Sequence, residues 1–184
     1  TCRMKIAIIG ASGQLGADLV ARVQEQNVDS FVALTHADCD ITTAGAISTL
    51  SAHNPDIIVN LAAYHAVDNC EMNPQKAYEV NVFAVKRLVD FCRATNTTLV
   101  QLSTDYVFGK DTKRRTPYTE ADLPAPISLY GLSRMASEYM VENHLKKFFL
   151  IRTSGLFGKA KSSMNAGGNF VELMIAKSKR GEPI

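Results

Sequence analysis

The sequence is poor in cysteine, in net charge and in long apolar runs, and each shortage excludes a class of protein. Its four cysteines, Cys2, Cys39, Cys70 and Cys92, form no CxxC pair and show no metal spacing with the four histidines. Neither a disulfide framework nor a metal site is expected; reduced thiols in a cytoplasmic protein are. A formal net charge of +2 is too small for a nucleic-acid or acidic-membrane partner. The one basic run, Lys113-Arg114-Arg115, lies among Thr, Asp and Pro and reads as a solvated loop. After Thr1-Cys2-Arg3 the first apolar run is broken by Gly10, too early for a signal h-region or a membrane span. Internal repeats and low-complexity segments are absent.

What remains is a chain of 184 residues, 46% hydrophobic, long enough to bury one sizeable core. Ile6 to Ile9 is a short β-branched run ending on glycine, the pattern of a buried parallel strand. Leu15, Leu19, Val20 and Val23 then recur at helical spacing. Further strands are predicted at Ser30 to Leu34, Asp56 to Leu61, Thr98 to Leu102 and Phe148 to Ile151. Helices are predicted at Ala44 to Ala52, Pro74 to Thr95, Ser128 to Lys146 and Asn169 to Lys179, with Pro74 in a first turn. Met135, Met140, Met164 and Met174 are expected to fill core space. Strands and helices alternating in this way predict an α/β fold, a Rossmann-type doubly wound parallel sheet. Its ligand belongs beyond the carboxyl ends of the strands, near Gly10, Leu61, Ser103 and Thr153.

Gly10-Ala11-Ser12-Gly13-Gln14-Leu15-Gly16 places three glycines between the first strand and the first helix. One glycine permits the tight turn, one admits a pyrophosphate to the backbone, and one lets helix and strand pack closely. Amide groups at the helix N-terminus then hold the anion. Gly10, Ser12, Gly13, Gln14, Leu15 and Gly16 are accordingly the expected dinucleotide-binding residues. An acidic residue ending the second strand selects NAD, by bonding the ribose 2'-hydroxyl and repelling a 2'-phosphate. This chain has Thr35-His36 there, with no carboxylate until Asp38 and Asp40. That leans toward NADP over NAD, although no arginine is placed to clamp the phosphate.

Five segments carry a resemblance to a known family. They are IGASGQLG (9–16), Asp40-Ile41-Thr42, PDIIVNLAAYHAVDNCE (55–71), LSTDYVFG (102–109) and YTEADLPAPISLYGLSRMASE (118–138). Shorter echoes occur at Arg152-Thr153-Ser154 and Asn169-Phe170. Together they resemble the extended short-chain dehydrogenase/reductases, and within them the dTDP-4-dehydrorhamnose reductase family. The resemblance implies reduction of a nucleotide-linked 4-keto sugar, with hydride from the nicotinamide and a proton from a tyrosine. By it, Thr104 polarises the carbonyl, Tyr130 is the acid and Arg134 is the supporting cation. Thr35, Asp40, Ile41, Leu61, Ala62, Ala63, Tyr64 and Leu102 join Tyr130 and Arg134 around the cofactor. Thr104, Asp105 and Gly155 meet the substrate, and Asn81 helps organise the site. The spacing agrees independently, because Tyr130 and Arg134 are i and i+4 on one helical face. A neighbouring cation stabilises a tyrosinate, and a tyrosine near its usual pKa of about 10 is otherwise a weak acid–base group at neutral pH. Asp40-Ile41 has a second reading, as the approach to a helix with Thr42 as N-cap. His65 reads equally as packing or as function.

Two positions depart from the family. Arg134 stands where the family has lysine; it keeps the charge, but its planar guanidinium has another shape and does not relay protons. Gly155 stands where the rhamnose-forming enzymes carry a tryptophan, so a large contact surface is missing. Gly181-Glu182-Pro183-Ile184 resembles the family segment just before the C-terminal substrate-binding portion. Residues 1–153 are thus expected to form the NAD(P)-binding domain, and 154–184 the start of an incomplete substrate-binding portion. The family implies a homodimer as a further expectation. The competing reading is a non-catalytic NADP-binding regulatory subunit, resembling the β subunit of methionine adenosyltransferase. Epimerase or dehydratase chemistry fits less well, since dehydratases of this superfamily have Thr-Asp-Glu where this chain has Thr104-Asp105-Tyr106.

Overall fold

The computed structural model describes residues 4–28, 30–158 and 170–183. Met164 and Asn169, singled out from sequence, lie outside the described residues. Five parallel strands form one sheet in the order β2-β1-β3-β4-β5. They are β1 (Ile6–Ile9), β2 (Phe31–Leu34), β3 (Ile57–Asn60), β4 (Thr98–Thr104) and β5 (Phe148–Thr153). Helices α1 (Gln14–Glu25) and α2 (Gly45–His53) make the first two crossovers. Because parallel crossovers are right-handed, reversing direction at β1 puts α1 and α2 on opposite faces. α2 packs beside α5 (Ala84–Thr95), and α5 beside α6 (Leu129–His144), to cover one face of the sheet. The crevice for a ligand in such a sheet lies between β1 and β3, at the strands' carboxyl ends.

The core follows from the β-branched runs. Ala7, Ile8 and Ile58 are fully buried, and Val85, Leu88 and Val89 of α5 close over the sheet with Leu50 of α2. Met135, Met140 and Met174 are only half-buried, so the methionines flank the core rather than fill it. Cys39, Cys70 and Cys92 are buried and unpaired; desolvation pushes the Cys92 thiol up to about 12 and the Cys39 thiol up to about 11.

Three departures from the sequence expectation bear on the site. The helix predicted at Pro74 to Thr95 runs as α4 (Pro74–Tyr78), a π-helical turn at Glu79–Phe83, and α5. A π turn inserts one residue per turn and re-aims side chains, which hydrophobic periodicity does not register. A short helix, α3 (Val67–Met72), occupies a segment with no helical prediction. Strand β4 continues two residues beyond the expected end, so Thr104 is its last residue. A final helix, α7 (Phe170–Arg180), completes the described elements.

Helix α6 is fixed by three devices. Ser128 caps it, its hydroxyl accepting from the Gly131 N–H at 3.1 Å. Gly131 sits against the chain after β4, where a Cβ would lie 2.2 Å from the Tyr106 carbonyl oxygen. Glu138, 2% exposed, accepts two hydrogen bonds from Arg152 of β5, at 2.9 and 2.8 Å.

Gly131→Ala should therefore force α6 away from Tyr106 and destabilise the fold by about 1–3 kcal/mol, the usual cost of overpacking. Urea denaturation checks this, and an unchanged midpoint would show that α6 does not need the close approach. Arg152→Ala strands the buried Glu138 carboxylate, and about 3–5 kcal/mol of stability should be lost. The same denaturation reads that out, with Glu138 and Arg152 replaced together expected to recover part of the loss.

Candidate active site

The glycine turn is built by the peptides around Gly10. The Gly10 and Ala11 N–H groups both donate to the Leu34 carbonyl at 3.0 Å, tying the turn to the end of β2. Gly10 has φ +80°, a left-handed conformation in which an L side chain is strained. A Cβ there would also press on Leu61 and Ala62 at the end of β3, at 3.2 and 3.1 Å. At Gly16 a Cβ would stand 2.1 Å from the Gly10 carbonyl oxygen, so only glycine lets α1 approach the strand end. Gly13 opens α1 with extended backbone, with no side-chain cap and no acidic residue in the first turn. Ser12 is exposed, while Gly13, Gln14 and Leu15 are partly so. The N-terminal amides thus present an anion-binding dipole with no internal carboxylate competing for it.

The end of β2 differs from the expectation. The Asp38 carboxylate folds back over the strand end, where Oδ2 accepts from the Thr35 N–H at 2.9 Å and the Thr35 hydroxyl at 2.6 Å. A carboxylate therefore lies against this strand end although none stands there in sequence. The Asp38 carboxyl pKa is held below the usual carboxylate range, first by the Thr35 hydroxyl and then by its N–H. Asp40 is likewise lowered, chiefly by the Thr42 hydroxyl, which donates to Oδ1 at 2.7 Å. Thr42 is consequently no N-cap: α2 begins at Gly45, capped by Ala44 without a side-chain bond. Ile41 is 4% exposed and belongs to the core. Arg87 of α5 holds this loop through the Ile41 and Thr42 carbonyls, with its charge paired to Glu79 at 2.6 Å.

Thr104 and Asp105 lie where β4 ends, and Tyr130 of α6 meets the same stretch of chain through Tyr106. Thr104 is buried; its hydroxyl donates to the Asp105 carboxylate and accepts from the Tyr106 N–H, both at 3.2 Å. A single 3-10 turn, Asp105–Val107, then leads the chain under α6. The Tyr106 ring meets the Tyr130 ring edge-on, with centroids 5.7 Å apart. An open depression of 390 Å³ beside them is lined by Val67, Asp105, Tyr106, Phe108, Ile127 and Ser128. Gly155 is exposed, with no atom of the described residues within 4 Å of where a Cβ would sit, and His65 is exposed as well.

Behind Tyr130 lies a run of buried polar groups. Asn81, carried on the π-helical turn, accepts from the Tyr64 N–H at 2.9 Å. Its amide donates to the Tyr64 carbonyl at 2.9 Å and to the Ser133 hydroxyl at 3.0 Å. Ser133 in turn donates to the Tyr130 carbonyl at 2.8 Å. Asn60 donates to Gln101, its register partner across β3 and β4, and Gln101 donates to the Leu102 carbonyl. Arg134, 2% exposed, also donates to the Leu102 carbonyl through Nη2. Its Nε and Nη1, with the Ser103 hydroxyl, are the buried polar side-chain atoms left without a partner among the described residues. Burial pulls the guanidinium pKa down, opposed by Tyr130 and Glu138.

Gly131, Ser133 and the Asp38 carboxylate escaped sequence reasoning. Gly131 did carry a signal, since a glycine inside an otherwise good helix costs about 1 kcal/mol and so suggests a close approach. Ser133 and Asp38 carried none, because their partners lie across folded segments or on a turn.

Comparison with known proteins agrees with this geometry. Residues 4–184 match the model of the RmlD substrate binding domain family. A probable dTDP-4,6-dihydroxy-2-methyloxan-3-one 4-ketoreductase of Streptomyces antibioticus is 39% identical over 183 residues, 98% of this chain and 59% of that protein. A dTDP-4-dehydrorhamnose reductase of Streptomyces griseus is 37% identical over 176 residues, 94% of this chain and 55% of that protein. The crystal structure of dTDP-4-dehydrorhamnose reductase from Bacillus anthracis in complex with NADP superimposes with a TM-score of 0.84 at 34% identity. It is matched over 97% of this chain and 60% of that one. The chain thus spans less than two thirds of the length of these relatives. With its family model matching residues 4–184, the chain belongs to the RmlD substrate binding domain family.

Proposed function

We propose that this chain is the cofactor-binding and proton-donating part of an NAD(P)H-dependent reductase acting on a nucleotide-linked 4-keto sugar. The observation that carries the reading is the close packing of α6, which carries Tyr130, onto the chain that follows Thr104 at the end of β4, through Gly131 and the Tyr106 ring. The names of the relatives support the same chemistry. On this reading residues 1–153 bind the cofactor, and 154–184 begin the substrate-binding portion.

The residues present fit a nicotinamide dinucleotide. The uncapped first turn of α1 accepts a pyrophosphate, and Gly10, Gly13 and Gly16 keep side chains out of its way. Leu61, Ala62, Ala63 and Tyr64, partly exposed after β3, form the opposite wall of the crevice. When bound, the reduced nicotinamide supplies the hydride. Thr104 turns its hydroxyl from Asp105 to the keto oxygen and polarises it. Tyr130 gives its phenolic proton to that oxygen as hydride reaches carbon, so the ketone becomes a secondary alcohol. The resulting tyrosinate is stabilised by Arg134 and reprotonated from solvent. Asn81 and Ser133 act as positioning residues, holding the Tyr130 backbone against Tyr64. Asp105 and the depression beside Tyr106 offer polar and apolar surface to the sugar nucleotide.

One observation favours a second reading, a binding-only NADP regulatory subunit. Arg134 donates to the Leu102 carbonyl, a main-chain bond that ties the cation to the sheet. A cation so tethered is a support for packing as much as for a tyrosinate.

The two readings separate in one assay. Given dTDP-4-keto-6-deoxy-L-mannose with NADPH and then NADH, the whole gene product should consume absorbance at the nicotinamide band. Tyr130→Phe should reduce that rate by about 10²–10⁴-fold, the usual worth of a positioned acid, with cofactor affinity retained. Arg134→Lys should hold or raise the rate. Tight cofactor binding with no turnover in either the wild type or Arg134→Lys would overturn the reductase and leave the regulatory subunit.

A further inference from the structure

The run Lys113-Arg114-Arg115, read from sequence as a solvated loop, is solvated only at its two ends. Lys113 and Arg115 are exposed, but the Arg114 side chain is turned inward, with 23% of it exposed. Its Nη1 and Nη2 each donate to one oxygen of Asp122 at 2.9 Å, a bidentate pair. Nε donates to the Thr116 carbonyl at 2.9 Å, and Nη2 also donates to the Pro117 carbonyl at 2.8 Å. Asp122 accepts in addition from the Thr119 N–H at 2.7 Å and the Thr119 hydroxyl at 3.0 Å. Residues 114–122 are thereby wound around one guanidinium. That guanidinium lies 4.3 Å over the Tyr118 ring, and Tyr118 stacks on Phe108 with centroids 4.3 Å apart and planes 7° from parallel. A ring has two faces, so Arg114 and Phe108 take opposite sides of Tyr118. Arg152 stands over the Phe108 ring at 5.1 Å, and its own partner is the buried Glu138 of α6. One continuous stack, Asp122–Arg114–Tyr118–Phe108–Arg152–Glu138, runs from the loop into the core.

The middle of this stack borders the depression beside Tyr106. Phe108 and Ile127 both line that depression, and they flank the loop at its base, where Gly109 and Pro126 pair as an antiparallel bridge. Two backbone bonds close the base, from the Ala125 N–H to the Val107 carbonyl at 2.8 Å and from the Lys110 N–H to the Ala125 carbonyl at 3.1 Å. Phe108 itself lies outside any helix or strand and is partly exposed, so its orientation depends on the groups stacked on its ring. We infer that Arg114 and Tyr118 are positioning residues for the nucleotide-sugar substrate, fixing Phe108 as a wall of the depression and so acting on substrate affinity rather than on the chemical step. The inference rests on the reductase reading above. Without the Tyr118 ring, Phe108 loses a stacked partner and gains rotamer freedom, which substrate binding then has to remove. Tyr130 is independent of that ring, because α6 is held by the Ser128 cap, the close approach at Gly131 and the Glu138–Arg152 pair.

Steady-state kinetics of the whole gene product with dTDP-4-keto-6-deoxy-L-mannose and NADPH tests it. Tyr118→Ala should raise KM for the sugar nucleotide by about three- to tenfold, the scale of one aromatic pair and one reordered side chain, with kcat within about twofold of the wild type. Tyr118→Phe keeps the ring and should restore the wild-type KM. Arg114→Met should raise KM in the same direction and add little when combined with Tyr118→Ala, since both act through Phe108. Isothermal titration of NADPH is the control, with an affinity unchanged in every variant. An unaltered KM in Tyr118→Ala overturns the inference alone, as does a rise that Tyr118→Phe fails to rescue. A fall in kcat and NADPH affinity alongside the rise in KM also overturns it, because general loss of structure then accounts for the effect. A wild type that binds NADPH and turns nothing over overturns the reductase reading, and this inference with it.

Discussion

The Gly10 peptide is the point at which three elements meet, and the site depends on how closely they can approach there. Its N–H is bonded to the end of β2, its α-carbon lies against the end of β3, and its carbonyl receives the Gly13 N–H and touches Gly16 of α1. A methyl group at Gly10 or Gly16 would open the crevice by pushing α1 or β3 away. The dipole of α1, the carboxylate at β2 and the backbone after β3 all derive their relative positions from this one crowded contact.

A second close approach builds the chemical half. Gly131 brings α6 onto the chain leaving β4, and this is what sets Tyr130 beside Tyr106. Behind it the polar groups are arranged as a buried network, in which each member is worth more satisfied than deleted. Asn81 reaches that network only because a π turn interrupts its helix. Arg134 is the loose member, with two nitrogens unpartnered among the described residues.

Electrostatics at the crevice is organised by hydrogen bonds rather than by ion pairs. Asp38 and Asp40 are both kept anionic by neighbouring threonine hydroxyls, with arginine engaged elsewhere. Such short-range bonds are screened less by salt than exposed ion pairs are, so a carboxylate held this way remains a fixed feature of the rim.

Much of this molecule was legible in its residues. Periodicity located β1, α1 and the core strands, because a buried parallel strand and an amphipathic helix have different repeats. Glycine spacing located the phosphate turn, because only glycine permits those contacts. The i,i+4 placement of Tyr130 and Arg134 on one helix was legible from their spacing, and both lie on α6. Folding alone decided what those residues touch. It placed Arg134 on the Leu102 carbonyl, carried Asn81 on a π turn, made Ile41 a core residue, and returned Asp38 to a strand end three residues behind it. Each of these is a contact between segments distant in sequence or a turn conformation, and neither leaves a period or a pattern for a linear reading to find.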